Sequence, residues 1–182
     1  MSESATPGRL ALLRATIAVV AQGGLRSLTY RAVAAKAGVS HGLVRHHFGT
    51  RDQLIAASLD YAVTESLRAS SMFDEVTDAA AFAAGIETLA QRDGDMQAFQ
   101  YELLLEARRR PELRPHAQRY YAAYRDANAA ALRRIGVRDE ALIDAIWFAL
   151  DGLVFRQVVL PEDVGPVLDR IRALVRAAAS PA

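Results

Sequence analysis

Apolar residues recur at spacings of three and four along most of the chain, and strand-like alternation of apolar and polar positions is hard to find anywhere. That periodicity restricts the fold to packed helices. Leu10, Leu13, Ile17, Val20 and Ala21 mark the inner face of a first helix ending at Gly23–Gly24. Two short helices follow, from Thr29 to Ala37 and from Ser40 to about His46, with Gly38 between them where the chain can enter a left-handed turn. Thr50 is placed to cap a fourth helix over 51–70. Five more are expected at 79–92, 95–109, 112–135, 139–159 and 163–178, with Pro111, Pro115, Gly136 and Pro161 at ends or first turns. The fold class is therefore all-α, with about nine helices.

The residues present exclude several chemistries. Of 182 residues 52% are hydrophobic, ample for a core, and none is cysteine, so disulfides, thiolate zinc sites and cysteine nucleophiles are ruled out. There is no HExxH, no glycine-rich phosphate loop and no GxSxG. Glu102 and Glu106 stand four apart like metal carboxylates, but no histidines complete a site. The expectation is a chain with no catalytic residue, no metal site and no cofactor, and so not an enzyme. The polar opening, with Glu3 and Pro7, does not read as a targeting peptide. The most apolar stretch, 141–160, is broken by Asp144, Asp151 and Arg156, so no membrane partner is expected and the cytoplasm is the expected location.

A formal net charge of +1 conceals an uneven spread. Residues 1–60 carry seven cations and three acids, a net of +4, while residues 61–182 carry 15 cations and 18 acids, a net of −3. A basic head on a mildly acidic body suits a polyanion-binding module joined to a domain with another task; ordinary scatter is the alternative. The triplet Arg108–Arg110 reads as a solvated helix end rather than a second nucleic-acid patch.

Within the basic head, TYRAVAAKAG followed by VSHGLVRHH reads as helix, glycine turn, helix. Val33, Ala34 and Ala37 give the first helix an inner face, and Val39 and Val44 can pack the second across it. Such a unit lays its second helix in the major groove of DNA. Ordered matches surround it. Leu28-Thr29, then Val33-Ala34-Ala35-Lys36-Ala37-Gly38-Val39-Ser40, then His47-Phe48-Gly49-Thr50-Arg51-Asp52-Gln53-Leu54 resemble the N-terminal signature of the TetR family of bacterial repressors, and the likeness extends back through 15–24. The resemblance implies a homodimer on a palindromic DNA operator, released when a small-molecule effector of unknown identity occupies the C-terminal domain. It divides the chain into a disordered arm (1–8), a helix-turn-helix DNA-binding domain (9–52) and a helical ligand-binding and dimerisation domain (53–182). A DNA-binding dimer controlled by a protein partner, or a nucleoid factor with no small-molecule switch, is the alternative.

The family usually carries Tyr-Tyr or Tyr-Trp before the histidine of its recognition helix, where this chain has Arg45-His46; its usual lysine near the fourth helix is here Arg51. Thr29 and Ser40, at helix starts, suit either phosphate contact or capping. Tyr30 is a phosphate donor by its chemistry. Arg31, His41, Gly42 and Leu43 match family positions that face bases: Arg31 can fork onto guanine, His41 can bond a purine edge, Leu43 can touch a thymine methyl, and Gly42 permits close approach. Arg45 suits a phosphate or a guanine edge, His46 and Arg51 suit the backbone, and His47 and Phe48 suit packing.

In the body, Ala145, Ala149 and Gly152 form one stripe of the penultimate helix and Leu142, Ile146 and Leu153 another. Val167, Ile171 and Leu174 repeat along the last helix. In the family the final two helices pair with their symmetry mates, which makes these the expected dimer residues. Met96, Phe99 and Gln100 share one helix face, Tyr121, Tyr124 and Asn128 another, and Trp147 stands near Asp151. Aromatics beside a carboxylate suit a cationic, partly apolar ligand; plain core with arginine-paired acids is the alternative.

Overall fold

The computed structural model describes residues 7–70 and 76–179. Among them are eight α-helices and no strand: α1 (Pro7–Gly23), α2 (Tyr30–Ala37), α3 (His41–Phe48), α4 (Arg51–Ser70), α5 (Ile86–Ala107), α6 (Arg114–Arg134), α7 (Glu140–Val159) and α8 (Gly165–Ala178). Short 3-10 turns at Leu25–Ser27 and Pro111–Leu113 precede α2 and α6. No helix among the described residues is long and apolar enough to cross a membrane. Residues 1–6 of the expected arm lie outside the described residues, whereas Pro7 and Gly8 already belong to α1.

The helix count corrects the expected nine. Helices expected at 79–92 and 95–109 are one helix, α5, interrupted only at Asp93, whose φ of −129° and ψ of 31° are non-helical. Its start is delayed to Ile86 because Ala83 (φ 56°) and Gly85 (φ 86°) adopt left-handed backbone that an α-helix cannot accommodate. The alanine run at 79–84 has high helix propensity, which the local chain path overrides.

Capping follows the sequence closely elsewhere. Thr50 and Gln53 make a reciprocal box at the start of α4: the Gln53 amide donates to Thr50 Oγ1 at 3.2 Å, and the Thr50 amide donates to Gln53 Oε1 at 2.9 Å. Asp139 accepts from the amides of Ala141 and Leu142 at the start of α7.

The chain groups into two compact units that interleave in sequence. One comprises the chain to Thr64 with Ala98–Ala117; the other comprises Glu65–Gln97 and Gln118 onward. In the first, Leu12, Leu13, Val20, Leu25, Val33, Val44, Leu54, Ile55, Phe99, Leu103 and Leu113 are buried. In the second, Phe82, Ile86, Leu89, Tyr120, Leu132, Ile143, Leu150, Leu168 and Val175 are buried. Each such side chain contributes roughly 1.5–3 kcal/mol by leaving water.

Candidate nucleic-acid interface

The site begins with the turn between α2 and α3. Thr29 caps α2, its Oγ1 accepting from the Ala32 amide at 3.1 Å. Gly38 closes α2 in the left-handed region (φ 68°, ψ 30°), and the amides of Gly38 and Val39 reach back to the carbonyls of Ala35 and Ala34 at 3.3 and 3.0 Å. This closure redirects the chain within three residues, so that α3 can cross α2 with Val33, Ala34, Val44 and Phe48 buried. Ala37 and Val39, expected on the same inner face, are half-buried.

Burying Val44 and Phe48 fixes the opposite face of α3. His41, Gly42, Arg45 and His46 are exposed on it, and Leu43 is half-buried. Arg31 and Ser40 are exposed nearby in the chain; Ser40 stands at the N-cap position without a side-chain capping bond. A Cβ added at Gly42 would meet nothing within 4 Å, so no packing inside the chain demands a glycine there. Tyr30 and His41 have ring centroids 5.9 Å apart. Burial pushes the Tyr30 phenol up, with the neighbouring charge of Arg45 pulling the other way. Tyr30, His41 and Arg45 thus form one polar constellation. His47 is half-buried and lies beside Phe48 at 6.2 Å, in keeping with packing.

Two of the expected contact residues have work inside the unit. The Tyr30 hydroxyl donates to the Gly49 carbonyl at 2.7 Å, tying the start of α2 to the turn after α3. Arg51 donates from Nη2 to the Leu25 carbonyl at 2.7 Å and from Nε to the Leu28 carbonyl at 3.2 Å. Its guanidinium therefore clamps the 3-10 turn ahead of α2 through two of its N–H donors. The same turn is held from the other side by a residue that sequence reasoning passed over: Glu102 of α5 accepts from the Leu25 amide at 3.1 Å. Gly24 makes room for that carboxylate. Its φ is 68°, and a Cβ there would stand 2.9 Å from Glu102 Oε1. The paired glycines at 23–24 are the one signal that pointed to a close approach here.

The residues expected to bind a ligand do not all belong to one unit. Phe99 and Gln100 are fully buried in the first unit, whereas Met96, half-buried, belongs to the second. In the second unit Tyr124 stacks on Trp147, centroids 5.7 Å apart and planes within 7°. Tyr120 lies 4.9 Å from Tyr124 and donates its hydroxyl to Asp151 at 3.3 Å. Asn128 donates from Nδ2 to the Ile143 carbonyl at 3.1 Å, while its buried Oδ1 has no hydrogen-bond donor among the described residues. Tyr124, Asn128 and Trp147 thus line the seam between α6 and α7. Tyr121 is exposed, and burial together with the Asp151 charge pushes its phenol up. Asp144 takes the arginine pairing expected of a structural acid, meeting Arg125 through two bonds of 2.7 and 3.1 Å.

Of the expected dimer residues, Ala145, Ala149, Gly152, Val167 and Leu174 are exposed and Leu142 and Leu153 are half-buried, whereas Ile146 and Ile171 are buried within the chain. The exposed stripe of α7 also carries Phe148, Phe155 and Val159, with Phe148 66% exposed. These three stand three to seven residues from the small-residue stripe, a spacing that would have identified them.

Comparison with known proteins bears on both units. A family model described as "Tetracyclin repressor-like, C-terminal domain" matches residues 77–181, and one described as "Bacterial regulatory proteins, tetR family" matches residues 12–58. The HTH-type transcriptional repressor Rv3405c of Mycobacterium tuberculosis is 43% identical over 58 residues, 32% of this chain and 31% of that protein, so the match spans about a third of that relative's length. Across nearly the whole chain, the crystal structure of a transcriptional regulator from Rhodococcus sp. Rha1 (RHA1_ro04179) is similar at 25% identity with a TM-score of 0.78, covering 97% of this chain and 100% of that one. The multidrug binding protein EbrR complexed with imidazole is similar at 27% identity with a TM-score of 0.69, covering 97% and 98%. The same protein has been crystallised with proflavin and with ethidium.

Proposed function

The chain belongs to the TetR family of bacterial regulatory proteins, and from that premise we propose that it is a homodimeric repressor, held on a palindromic operator by α2 and α3 and released by a small-molecule effector. The observation that carries the reading is the exposed face of α3, where His41, Gly42, Arg45 and His46 stand together, backed by the buried Val44 and Phe48. A helix buried on one side and carrying an arginine among histidines on the other, following a capped glycine turn, suits the major groove. Thr29, Arg31, Ser40 and Leu43 surround that face in sequence and complete the proposed contact set, with Tyr30, whose hydroxyl proton is given to the Gly49 carbonyl, bracing it from beside His41. Arg51 supports it through the turn it clamps.

The dimer reading is supported by the apolar surface of α7 and α8. Phe148, Val159, Val167 and Leu174 are exposed, alongside the small residues Ala145, Ala149 and Gly152. A Cβ at Gly152 meets nothing within 4 Å, so a glycine in mid-helix answers to no neighbour within the chain. A partner backbone approaching that stripe supplies the reason.

For the effector, the seam of Tyr120, Tyr124 and Trp147 with Asp151 supports a cationic, partly apolar molecule. EbrR, similar in fold, is crystallised with imidazole, proflavin and ethidium. The Asn128 Oδ1 is a buried acceptor to which a ligand N–H can donate. Opening the Tyr124–Trp147 stack is the cost of admission.

The test is a mobility shift on genomic fragments, with proflavin and ethidium as the first candidate effectors. Release from a single palindromic site by such a cation is the expected result. Binding at many sites that no compound reverses would favour a nucleoid factor or a protein-controlled dimer, and no binding to any fragment would sink the reading.

A further inference from the structure

The arginine triplet at the end of α5 is not simply a solvated helix end. Arg110 donates from Nη2 to Asp52 Oδ1 at 3.2 Å and from Nε to Glu112 Oε1 at 2.9 Å, and its side chain is only 24% exposed. Asp52 lies in the first turn of α4, three residues after Gly49, which caps the C-terminus of α3. Leu113, buried in the following 3-10 turn, holds the same segment down. The connection between α5 and α6 is thereby anchored to the first turn of α4, the helix that follows α3 in the chain. On either side of the anchor, Arg108 and Arg114 are exposed and make no ion pair among the described residues. Arg109, next to them, meets Glu106 at 3.0 Å in an open pair that exchanges readily for another anion.

This placement changes the charge of the basic head. The compact unit containing α2 and α3 includes Ala98–Ala117, and over its whole range it carries eleven cations against six acids, a net of +5. The remainder carries eleven cations against fifteen acids, a net of −4. The segment therefore adds to the net positive charge of the unit containing α2 and α3, and Asp52 and Glu112 are both engaged by Arg110.

We infer that Arg108 and Arg114 form an accessory contact surface for the phosphate backbone of double-stranded DNA, flanking the stretch held by α3. The inference rests on the reading of α2 and α3 as the DNA-binding interface. Duplex DNA carries a charge about every 1.7 Å of its axis, so phosphates continue past any contact made at the end of α3. Guanidinium groups carried on an anchored turn meet them with little loss of backbone freedom.

The experiment uses the full chain and a mixed-sequence duplex of about 30 base pairs, with affinity read by fluorescence anisotropy across a salt series. R108A/R114A is expected to weaken binding about tenfold at low salt and to lower the slope of log affinity against log salt by about 1.8 per subunit. R108K/R114K keeps the charge and should stay close to the parent. R92A/R138A removes equal charge from the other unit and should do the same. A parent-like slope in R108A/R114A overturns the inference, as does an equal loss in R92A/R138A, which would point to net charge alone. R45A separates the two readings: if it impairs binding while R108A/R114A does not, only the accessory surface falls. A parent chain that binds no duplex overturns the α3 reading and this inference together.

Discussion

Gly42 costs α3 helix stability and gains nothing inside the chain, since its missing Cβ has open space around it. Gly42→Ala should therefore stabilise the protein by up to about 1 kcal/mol in a urea melt while weakening duplex binding. An affinity left unchanged would remove close approach as the reason for the glycine. Arg51 makes the opposite kind of statement. Its charge is legible in the sequence as a phosphate anchor, but its partners are carbonyls 26 and 23 residues away, and spacing cannot reveal them. Arg51→Lys keeps the charge and loses the fork, so a stability loss of roughly 1–2 kcal/mol is expected. Loss of DNA affinity with unchanged stability would restore the phosphate role. Val33, Val44 and Phe48 were readable because burial on a short helix follows from period and side-chain type alone.

At the level of elements, the caps at Thr29, Gly38, Thr50 and Asp139 are local chemistry, and so the helices they bound could be read from the chain. The region 79–85 could not, because alanines that favour a helix there are bent by left-handed backbone at Ala83 and Gly85. The start of α5, just past that bend, is fixed by Glu87, whose Oε1 receives Arg172 Nη2 at 2.9 Å, while Arg172 Nε donates to the Phe82 carbonyl at 3.1 Å. Desolvation tends to raise the Glu87 carboxyl, but its own backbone amide and Arg172 outweigh it and hold the group below its ordinary 4.5. A lowered folded pKa means this contribution is complete above the ordinary glutamate range and is lost as pH falls through the folded value. Thermal melts of Arg172→Gln between about pH 6 and pH 3 should show a shallower acid decline than the parent. An identical decline would mean that the pair contributes nothing. On α7, Gly152→Ala should favour the helix itself by up to about 1 kcal/mol and weaken self-association in sedimentation. Unaltered association would place the partner elsewhere.

The whole molecule departs most from what the chain suggests. Composition changes near residue 60, and a contiguous head and body are the simplest division of such a sequence. The compact units are instead interleaved, with Ala98–Ala117 in the same unit as the chain to Thr64. Only a long-range contact such as Glu102 to the Leu25 amide, 77 residues apart, reveals this. A fragment ending at Thr64 should accordingly lose protection at the Leu25 amide in hydrogen exchange and melt below the same residues in the full chain. Equal protection in the two would make the downstream segment dispensable.

The Glu102 contact also sets an order of events during synthesis. A ribosome releases the N-terminal helices first, at about 5–20 residues per second, and the carboxylate that completes their turn has yet to be made. For some seconds the nascent head carries its cationic helix with one side of that turn open. The turn ahead of α2 is thereby completed only when the segment carrying Glu102 emerges.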